Sequence, residues 1–341
     1  MNTKTIQKSL GYRHFEINSR LRYFKPASSK TEKTFATEIS SSLNKQEKSI
    51  SSKFFYDIKG SVLFDKICNL PEYYLTRTEK ELLKKIGNEL FHFISKDTRL
   101  VELGSGSAVK TRLLLDVFAR FQNPIEYFPI DISDILQESS QKLLEDYEHL
   151  SITGIIDSYE GGLEFVEQFD NKPNLIAFLG SSFGNFTPEL GFSFLNKISA
   201  TMKKNDLFFI GIDLIKDKKV LEKAYDDSKG ITANFNLNLL SRINDELNAN
   251  FNLSQFVHYS IYNEKKQRIE MYLRSLEKQT VEIKKANLLL EIKKDELIHT
   301  EHSHKYSIPQ FQEILTKTGF KLEKFWQDTN KPYALFLASK N

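Results

Sequence analysis

The chain of 341 residues contains one cysteine, one tryptophan, three methionines and eight prolines. A single cysteine excludes an internal disulfide and any metal site built on a cysteine cluster. Cys68 falls in the apolar pattern Leu63, Phe64, Ile67, Cys68 and reads as core. No apolar run approaches the about 18 residues of a membrane span. No secretory apolar region is visible either, so the expectation is a soluble protein of a reducing, cytoplasmic compartment. Internal repeats and low-complexity tracts are lacking. The formal net charge is only +3, which excludes the strong basic field of a nucleic-acid binder. What charge there is lies unevenly: residues 1–33 hold eight Lys or Arg and two Glu, leaving 40 basic and 43 acidic residues for the remainder. A basic, poorly periodic leader over residues 1–33 reads as a flexible extension, with a targeting peptide as the alternative.

What is present is a body that is 40% hydrophobic and 12% aromatic, ample for a sizeable core. It is organised around Val101 to Lys110, V-E-L-G-S-G-S-A-V-K. A short apolar run, a glycine turn and a helix start are joined in that stretch. Gly104 and Gly106 let the backbone turn sharply and approach a ligand, and the free N–H groups of the coming helix face the same space. Asp131 ends the next apolar run, where an acid can accept both hydroxyls of a ribose. A dinucleotide fingerprint would want a third glycine where this chain has Val109.

Strands are predicted near 99–103, 126–131, 152–156, 174–180 and 206–213, and helices near 110–121, 133–148, 188–202 and 219–226. Runs such as L-I-A-F-L-G are apolar without alternation, as strands covered on both faces should be. The fold class is α/β, a doubly wound sheet. Two last strands, Leu322 to Gln327 and Tyr333 to Ala338, are separated by a short polar link that suits an antiparallel hairpin. Beyond Asp217 the alternation stops. A helix over Asn238 to Leu247 and antiparallel strands follow, and I-E-M-Y-L-R-S puts Ile269, Met271, Leu273 and Ser275 on one face. Thr34 to Leu43 reads as a helix and Ser61 to Ile67 as a helical turn. Leu70 to Arg77 looks irregular, with Thr78 capping the helix after it. The sheet domain is placed at 80–215 and 306–341. An inserted α+β domain takes 34–79 and 216–305, with a site expected at the carboxyl edge of the sheet.

Several clusters have the chemistry of a site. F-L-G-S-S-F-G-N brings Gly180 and Asn185 to the end of a buried strand, where backbone can approach a bound molecule and the amide can both donate and accept. A-Y-D-D-S-K-G carries Tyr225. In H-T-E-H-S-H-K-Y the three histidines match no common zinc spacing, and no metal is expected. Glu301 and Ser303, two apart on an extended segment, point the same way and could hold an N–H-bearing ring.

These motifs, with F-Y-D-I-K-G-S-V-L-F-D, L-P-E-Y-Y-L-T-R-T-E, P-I-D-I-S, G-I-D-L-I-K-D, A-Y-D-D-S-K-G-I-T-A-N-F-N and R-I-E-M, cover residues 34–341 in order. Together they resemble the histidine Nα-methyltransferase family of ergothioneine biosynthesis, whose product is hercynine. The resemblance implies a class I methyltransferase sheet with its C-terminal antiparallel hairpin, and S-adenosylmethionine as methyl donor. It implies that Gly104, Gly106, Lys110 and Asp131 contact the donor, Asp131 at the ribose. Tyr73, Glu301 and Ser303 would hold the imidazole. Asn185 and Tyr225, with Gly180, would hold the amino-acid end, and Met271 would line the side-chain pocket. Tyr56 would lie near the reacting nitrogen, with Phe64 walling the same pocket. Where the family shows an acidic residue and then an aromatic for the adenine, this chain has Asp157, Ser158, Tyr159, so either Asp157 or Ser158 serves. The expected partner is a small amino acid, with no nucleic acid or membrane, and the expected state a monomer. The same chemistry on tryptophan or tyrosine, a nicotinamide oxidoreductase, and a non-catalytic cofactor-binding module remain alternatives at this point.

Overall fold

Short apolar strands that alternate with helices pair in parallel, because each helix returns the chain across the sheet. The computed structural model describes residues 11–27, 34–106, 108–132, 135–328 and 333–341. In chain order the strands are β1 (Tyr12–Asn18), β2 (Leu21–Pro26), β3 (Arg99–Leu103), β4 (Ile125–Asp131), β5 (Leu150–Ile156), β6 (Asn174–Phe178) and β7 (Leu207–Asp213). They continue as β8 (Phe256–Asn263), β9 (Arg268–Ser275), β10 (Gln279–Ile283), β11 (Leu288–Ile292), β12 (Leu297–His304), β13 (Phe320–Gln327) and β14 (Tyr333–Lys340). The helices are α1 (Phe35–Leu43), α2 (Ile58–Cys68), α3 (Tyr74–Leu90), α4 (Val109–Phe118), α5 (Ile135–Asp146), α6 (Tyr159–Phe169), α7 (Pro188–Thr201), α8 (Lys218–Tyr225), α9 (Ile231–Leu247) and α10 (Ile308–Lys317).

The chain divides into two units. One holds the described N-terminal residues with Arg77–Leu214 and Tyr306–Asn341; the other holds residues from 34 to Thr76 with Ile215–Lys305. The first is built on a sheet in the order β1-β2-β5-β4-β3-β6-β7-β14-β13. Strands β2 to β7 run parallel, and β14 lies antiparallel between β7 and β13, so the closing antiparallel pair is present. Its strands alternate between two apolar layers. Leu175, Ala177, Phe209, Leu335 and Leu337 face one; Ile176, Phe178, Phe208, Ile210 and Phe336 face the other. The non-alternating apolar runs have this cause: both faces are covered.

Three expectations need correcting. The leader over residues 1–33 is not a flexible extension in its described part. Residues 12–26 form an antiparallel hairpin whose β2 adds to the sheet beside β5, with Leu21, Tyr23 and Phe24 buried. Its basic residues do structural work that the sequence hid: Arg20 donates to the carbonyls of Tyr147 (3.0 Å) and Glu148 (2.9 Å), and Arg22 to Thr153 Oγ1 (2.9 Å). Residues 1–10 and 28–33 of that leader lie outside the described residues, as do residues 329–332 in the link after β13. Second, α3 starts at Tyr74, so Thr78 is a buried helical residue and not a cap, and the sheet unit begins at Arg77, not at 80. Third, α6 was not read from the sequence. Its pair Gly161–Gly162 looks like a breaker, but a Cβ on Gly162 would meet Ile130 Cγ2 at 2.4 Å, so glycine there lets the helix lie close on β4.

The second unit buries its own apolar cluster, drawn from α1, α2, α8 and α9 and from the inner faces of two small antiparallel sheets, β12-β9-β8 and β10-β11. Ile269, Met271, Leu273 and Ser275 are all buried, as their alternation requires. Among the described residues no helix is long and apolar enough to cross a membrane.

Candidate active site

The carboxyl end of β3 runs straight into the glycine turn. Gly104 has φ +73°, in the left-handed region that glycine takes without strain. Its N–H donates to Ile130 O at 2.9 Å, tying the turn to β4, and a Cβ here would press on Tyr159 Oη at 2.7 Å. Gly106 follows at φ +50° with nothing within 4 Å of where a Cβ would stand, so that position faces open space. Asp131 ends β4 half-buried, paired with Ile156 of β5. Tyr159 sits near it: burial raises the phenol well above its ordinary range, and the Asp131 charge adds to that. Asp157 follows Ile156. Its Oδ1 accepts the Ser158 N–H at 2.7 Å and its Oδ2 accepts the Tyr12 hydroxyl. The Ser158 hydroxyl oxygen caps α6 by accepting the Gly161 N–H at 3.2 Å. Gly104, Gly106, Asp131, Asp157, Ser158 and Tyr159 thus line one edge in strand order.

A buried carboxylate braces the neighbouring part of that edge. Glu79 is 1% exposed and accepts the Gly180 N–H (2.9 Å), the Lys110 ammonium (3.0 Å) and the Tyr333 hydroxyl (2.6 Å). Gly211 leaves it room, since a Cβ there would lie 2.2 Å from Glu79 Oε1. Gly180, at φ +82°, opens the turn that leads into the 3-10 turn Ser182–Asn185, where Asn185 is half-buried. Beneath the glycine turn, Glu102 accepts the hydroxyls of Thr111 and Tyr127, each at 2.6 Å. Burial pushes Glu102 up to about 7 against those two hydrogen bonds.

The second unit gathers the other predicted residues. Pairing of β12 with β9 runs His299 opposite Tyr272 and then Glu301 opposite Met271, with Thr300 as an extra residue. That bulge changes the parity of the strand. Glu301 and Ser303 therefore share a face with Met271 and Ile269, while His299, His302 and His304 fall with Tyr272, Glu270 and Arg268 on the other. The histidine rings stand 5.6 and 5.2 Å apart in sequence. Burial, with the His302 ring next, lowers His299 and His304 to about 4. Among the described residues no group of three or more His, Cys, Asp or Glu could hold a metal ion.

On the inner face, the Tyr225 hydroxyl donates to Ser303 Oγ at 2.9 Å, and the Lys305 ammonium donates to both, at 3.0 and 2.9 Å. Ser303 and Lys305 are buried. Burial pushes Glu301 up to about 7, with the Lys305 charge pulling it back. An aromatic row continues from here. Tyr73 meets Tyr225 edge-on at 6.2 Å, Phe64 meets Tyr73 at 6.3 Å, and Tyr56 meets Phe64 at 5.5 Å. Tyr56, 39% exposed, caps the turn Ser52–Phe55. The next residue, Asp57, is anchored by the N–H of Gly60 (2.6 Å) and the amide of Asn238 (2.9 Å).

All seven predicted residues of the second unit thus fall in one contiguous set, and Gly180 and Asn185 belong with the sheet unit. Sequence reasoning missed Glu79 and Lys305. The signal for Lys305 was present, since Glu301, Ser303 and Lys305 continue one period-two series.

A family profile described as "Histidine-specific methyltransferase, SAM-dependent" matches residues 35–340. Histidine N-alpha-methyltransferase of Mycobacterium tuberculosis is 36% identical over 304 residues, covering 89% of this chain and 94% of that protein. The protein of the same name from Mycolicibacterium smegmatis is 35% identical over 302 residues, covering 88% and 93%. Ergothioneine biosynthesis protein 1 of Schizosaccharomyces pombe is 31% identical over 301 residues, which is 85% of this chain and 39% of that protein.

Proposed function

Because the chain belongs to the histidine-specific, S-adenosylmethionine-dependent methyltransferases, we propose that it methylates the α-amino group of L-histidine, through to the trimethylated product hercynine. The observation that carries this reading is the inner face of β12. There the half-buried Glu301 carboxyl, pushed up to about 7 mainly by desolvation, stands beside the Ser303 hydroxyl and opposite an apolar Met271. That set fits a ring with an N–H edge and a carbon edge, and an all-carbon ring would leave Glu301 unmatched.

The open turn at Gly104 and Gly106, with Asp131 one strand away, fits a nucleoside whose ribose hydroxyls meet the Asp131 carboxylate. When bound, S-adenosylmethionine supplies a sulfonium methyl, an electrophile that a neutral amine attacks directly. Gly104, Gly106, Lys110, Asp131, Asp157 and Tyr159 hold that donor on this reading. Ser158 is left as the helix cap, which leaves Asp157 as the acceptor for the adenine amino group. Glu301, Ser303 and Tyr73 hold the imidazole. Tyr225 and Asn185, with the backbone at Gly180, hold the amino-acid end.

Tyr56 orients the amine and passes its proton to water. The ring faces of Tyr56, Phe64 and Tyr73 accept the positive charge that each methylation leaves behind, worth about 0.5–2 kcal/mol. The protein acts on a free amino acid as a monomer of the cytoplasm. The slight acidic excess outside residues 1–33 supports a small-molecule substrate over nucleic acid.

The test is incubation of the pure protein with S-adenosylmethionine and each amino acid in turn, read by product mass. Histidine alone should gain three methyl groups. Turnover of tryptophan or tyrosine in its place would overturn the substrate, and donor binding without any product would leave only a binding module.

A further inference from the structure

The family profile begins at residue 35, so the β1-β2 hairpin lies outside the matched segment. The hairpin nevertheless reaches the same edge as the glycine turn. Strand β2 runs parallel to β5, Phe24 pairing with Ile155, so Pro26 stands at the carboxyl end of the sheet. Strand β1 runs back antiparallel and pairs Tyr12 with Pro26, which brings Tyr12 to that end as well. The pairing is fixed there by the Ala27 N–H, which donates to Gly11 O at 2.6 Å.

Along this edge the strands come in the order β3, β4, β5, β2, β1, each about 4.8 Å from the next. A nucleoside with its ribose on Asp131, at the end of β4, has its base over the next strand, where Asp157 follows β5. The carboxylate there is fixed at both oxygens, Oδ1 by the Ser158 N–H and Oδ2 by the Tyr12 hydroxyl. Each carboxylate oxygen offers two lone-pair directions, so one remains on each for a donor on the base. The Tyr12 ring is itself held, packed against Phe165 at 5.0 Å, and Phe165 against Phe24 at 4.7 Å.

We propose that Tyr12 is a positioning residue for the methyl donor: its hydroxyl sets the Asp157 carboxylate in the orientation that receives the 6-amino group of adenine, which makes the N-terminal hairpin a working part of the donor site. This rests on the donor reading above. Burial first and the hydrogen bond to Asp157 second raise the Tyr12 phenol far above its ordinary range, so it remains a donor at every physiological pH.

The experiment is a binding titration with no methyl acceptor present. Wild type and Tyr12→Phe are each titrated with S-adenosylhomocysteine and with S-inosylhomocysteine, which carries a 6-oxo group in place of the 6-amino group. Tyr12→Phe keeps the ring packing and removes only the hydroxyl. It should weaken S-adenosylhomocysteine about five- to tenfold and leave S-inosylhomocysteine unchanged. In Asp157→Ala, which has no acceptor left for the hydroxyl, the same Tyr12 substitution should add nothing further. Equal weakening of both ligands, or of neither, overturns the proposal and leaves Tyr12 as packing. Hydrogen exchange on the unmodified protein is a second measure that needs no variant. S-adenosylhomocysteine should slow exchange over Tyr12–Pro26 more than S-inosylhomocysteine does, and equal protection by both overturns the proposal. A wild-type protein that binds neither ligand would instead sink the donor reading itself.

Discussion

Glu301 stands directly across the β9–β12 pair from Met271, and it does so because Thr300 is inserted as a bulge between His299 and Glu301. Without the extra residue, Thr300 would oppose Met271, and Glu301 would share the other face with Tyr272 or Glu270. One backbone irregularity therefore decides that a carboxyl, and not a threonine, joins the apolar face.

Glu301→Ala should raise the KM for histidine at least about tenfold, the range expected when a charged hydrogen-bond partner is lost. The KM for S-adenosylmethionine should stay within a factor of two or so of wild type on the same grounds. Steady-state kinetics with each substrate varied separately gives the answer. Equal increases for both would remove Glu301 from the imidazole pocket.

The same carboxyl makes the unliganded protein pH-sensitive. Its folded value is raised to about 7 from an ordinary 4.5, mainly by burial. Between those two values the folded state keeps a proton that the unfolded state has released. Stability from this group is therefore fully present below about 4.5, falls as pH rises, and is gone above about 7. Glu301→Gln should remove that slope and be relatively more stable than wild type at pH 8. Denaturant unfolding across the window measures it, and parallel curves for the two proteins would refute the assignment.

Tyr56→Phe should lower kcat by about a hundredfold while the dissociation constant for S-adenosylmethionine is unchanged. Phenylalanine keeps the ring contacts to Phe64 and Phe235, so the fold should be retained. Unchanged turnover takes Tyr56 out of the proton path.

Lys305→Met keeps the length of the side chain and deletes the ammonium that donates to Tyr225 and Ser303. The KM for histidine should rise about tenfold, with donor binding unaffected. A variant whose only defect is a lower unfolding midpoint would mark Lys305 as structural.

Glu79→Ala leaves the Gly180 N–H, the Lys110 ammonium and the Tyr333 hydroxyl without their shared acceptor. Unfolding free energy should fall by about 3 kcal/mol, measured in denaturant. A loss below about 1 kcal/mol would mean the cluster is no tighter than a surface pair.

The legible parts of the sequence were those in which one residue type answers one local demand. Gly104 had to be glycine for a φ of +73°, and Asp131 ends its strand because an apolar run stops there. The antiparallel C-terminal pair was readable from the short polar stretch between two strands. Glu79 was not readable, because its partners come from three stretches far apart in the chain and meet only after folding. The hairpin was hidden by its arginines, which look like solvent-seeking charge until the carbonyls of Tyr147 and Glu148 are seen beneath Arg20. Helix α6 was hidden by glycines that are present for close contact, Gly161 with the Asp157 carboxylate and Gly162 with Ile130, not for flexibility.

Strand β14 lies between β7 and β13 and is formed from residues near the carboxyl end. During synthesis, β7 must wait for more than a hundred further residues before its second neighbour leaves the ribosome. Until then Leu207–Asp213, almost wholly apolar, presents an open row of amide and carbonyl groups to any passing chain. Fragments that stop short of Tyr333, whether from interrupted translation or from proteolysis, should for that reason be prone to aggregate, and the cell's chaperones have most reason to attend to this chain at that stage.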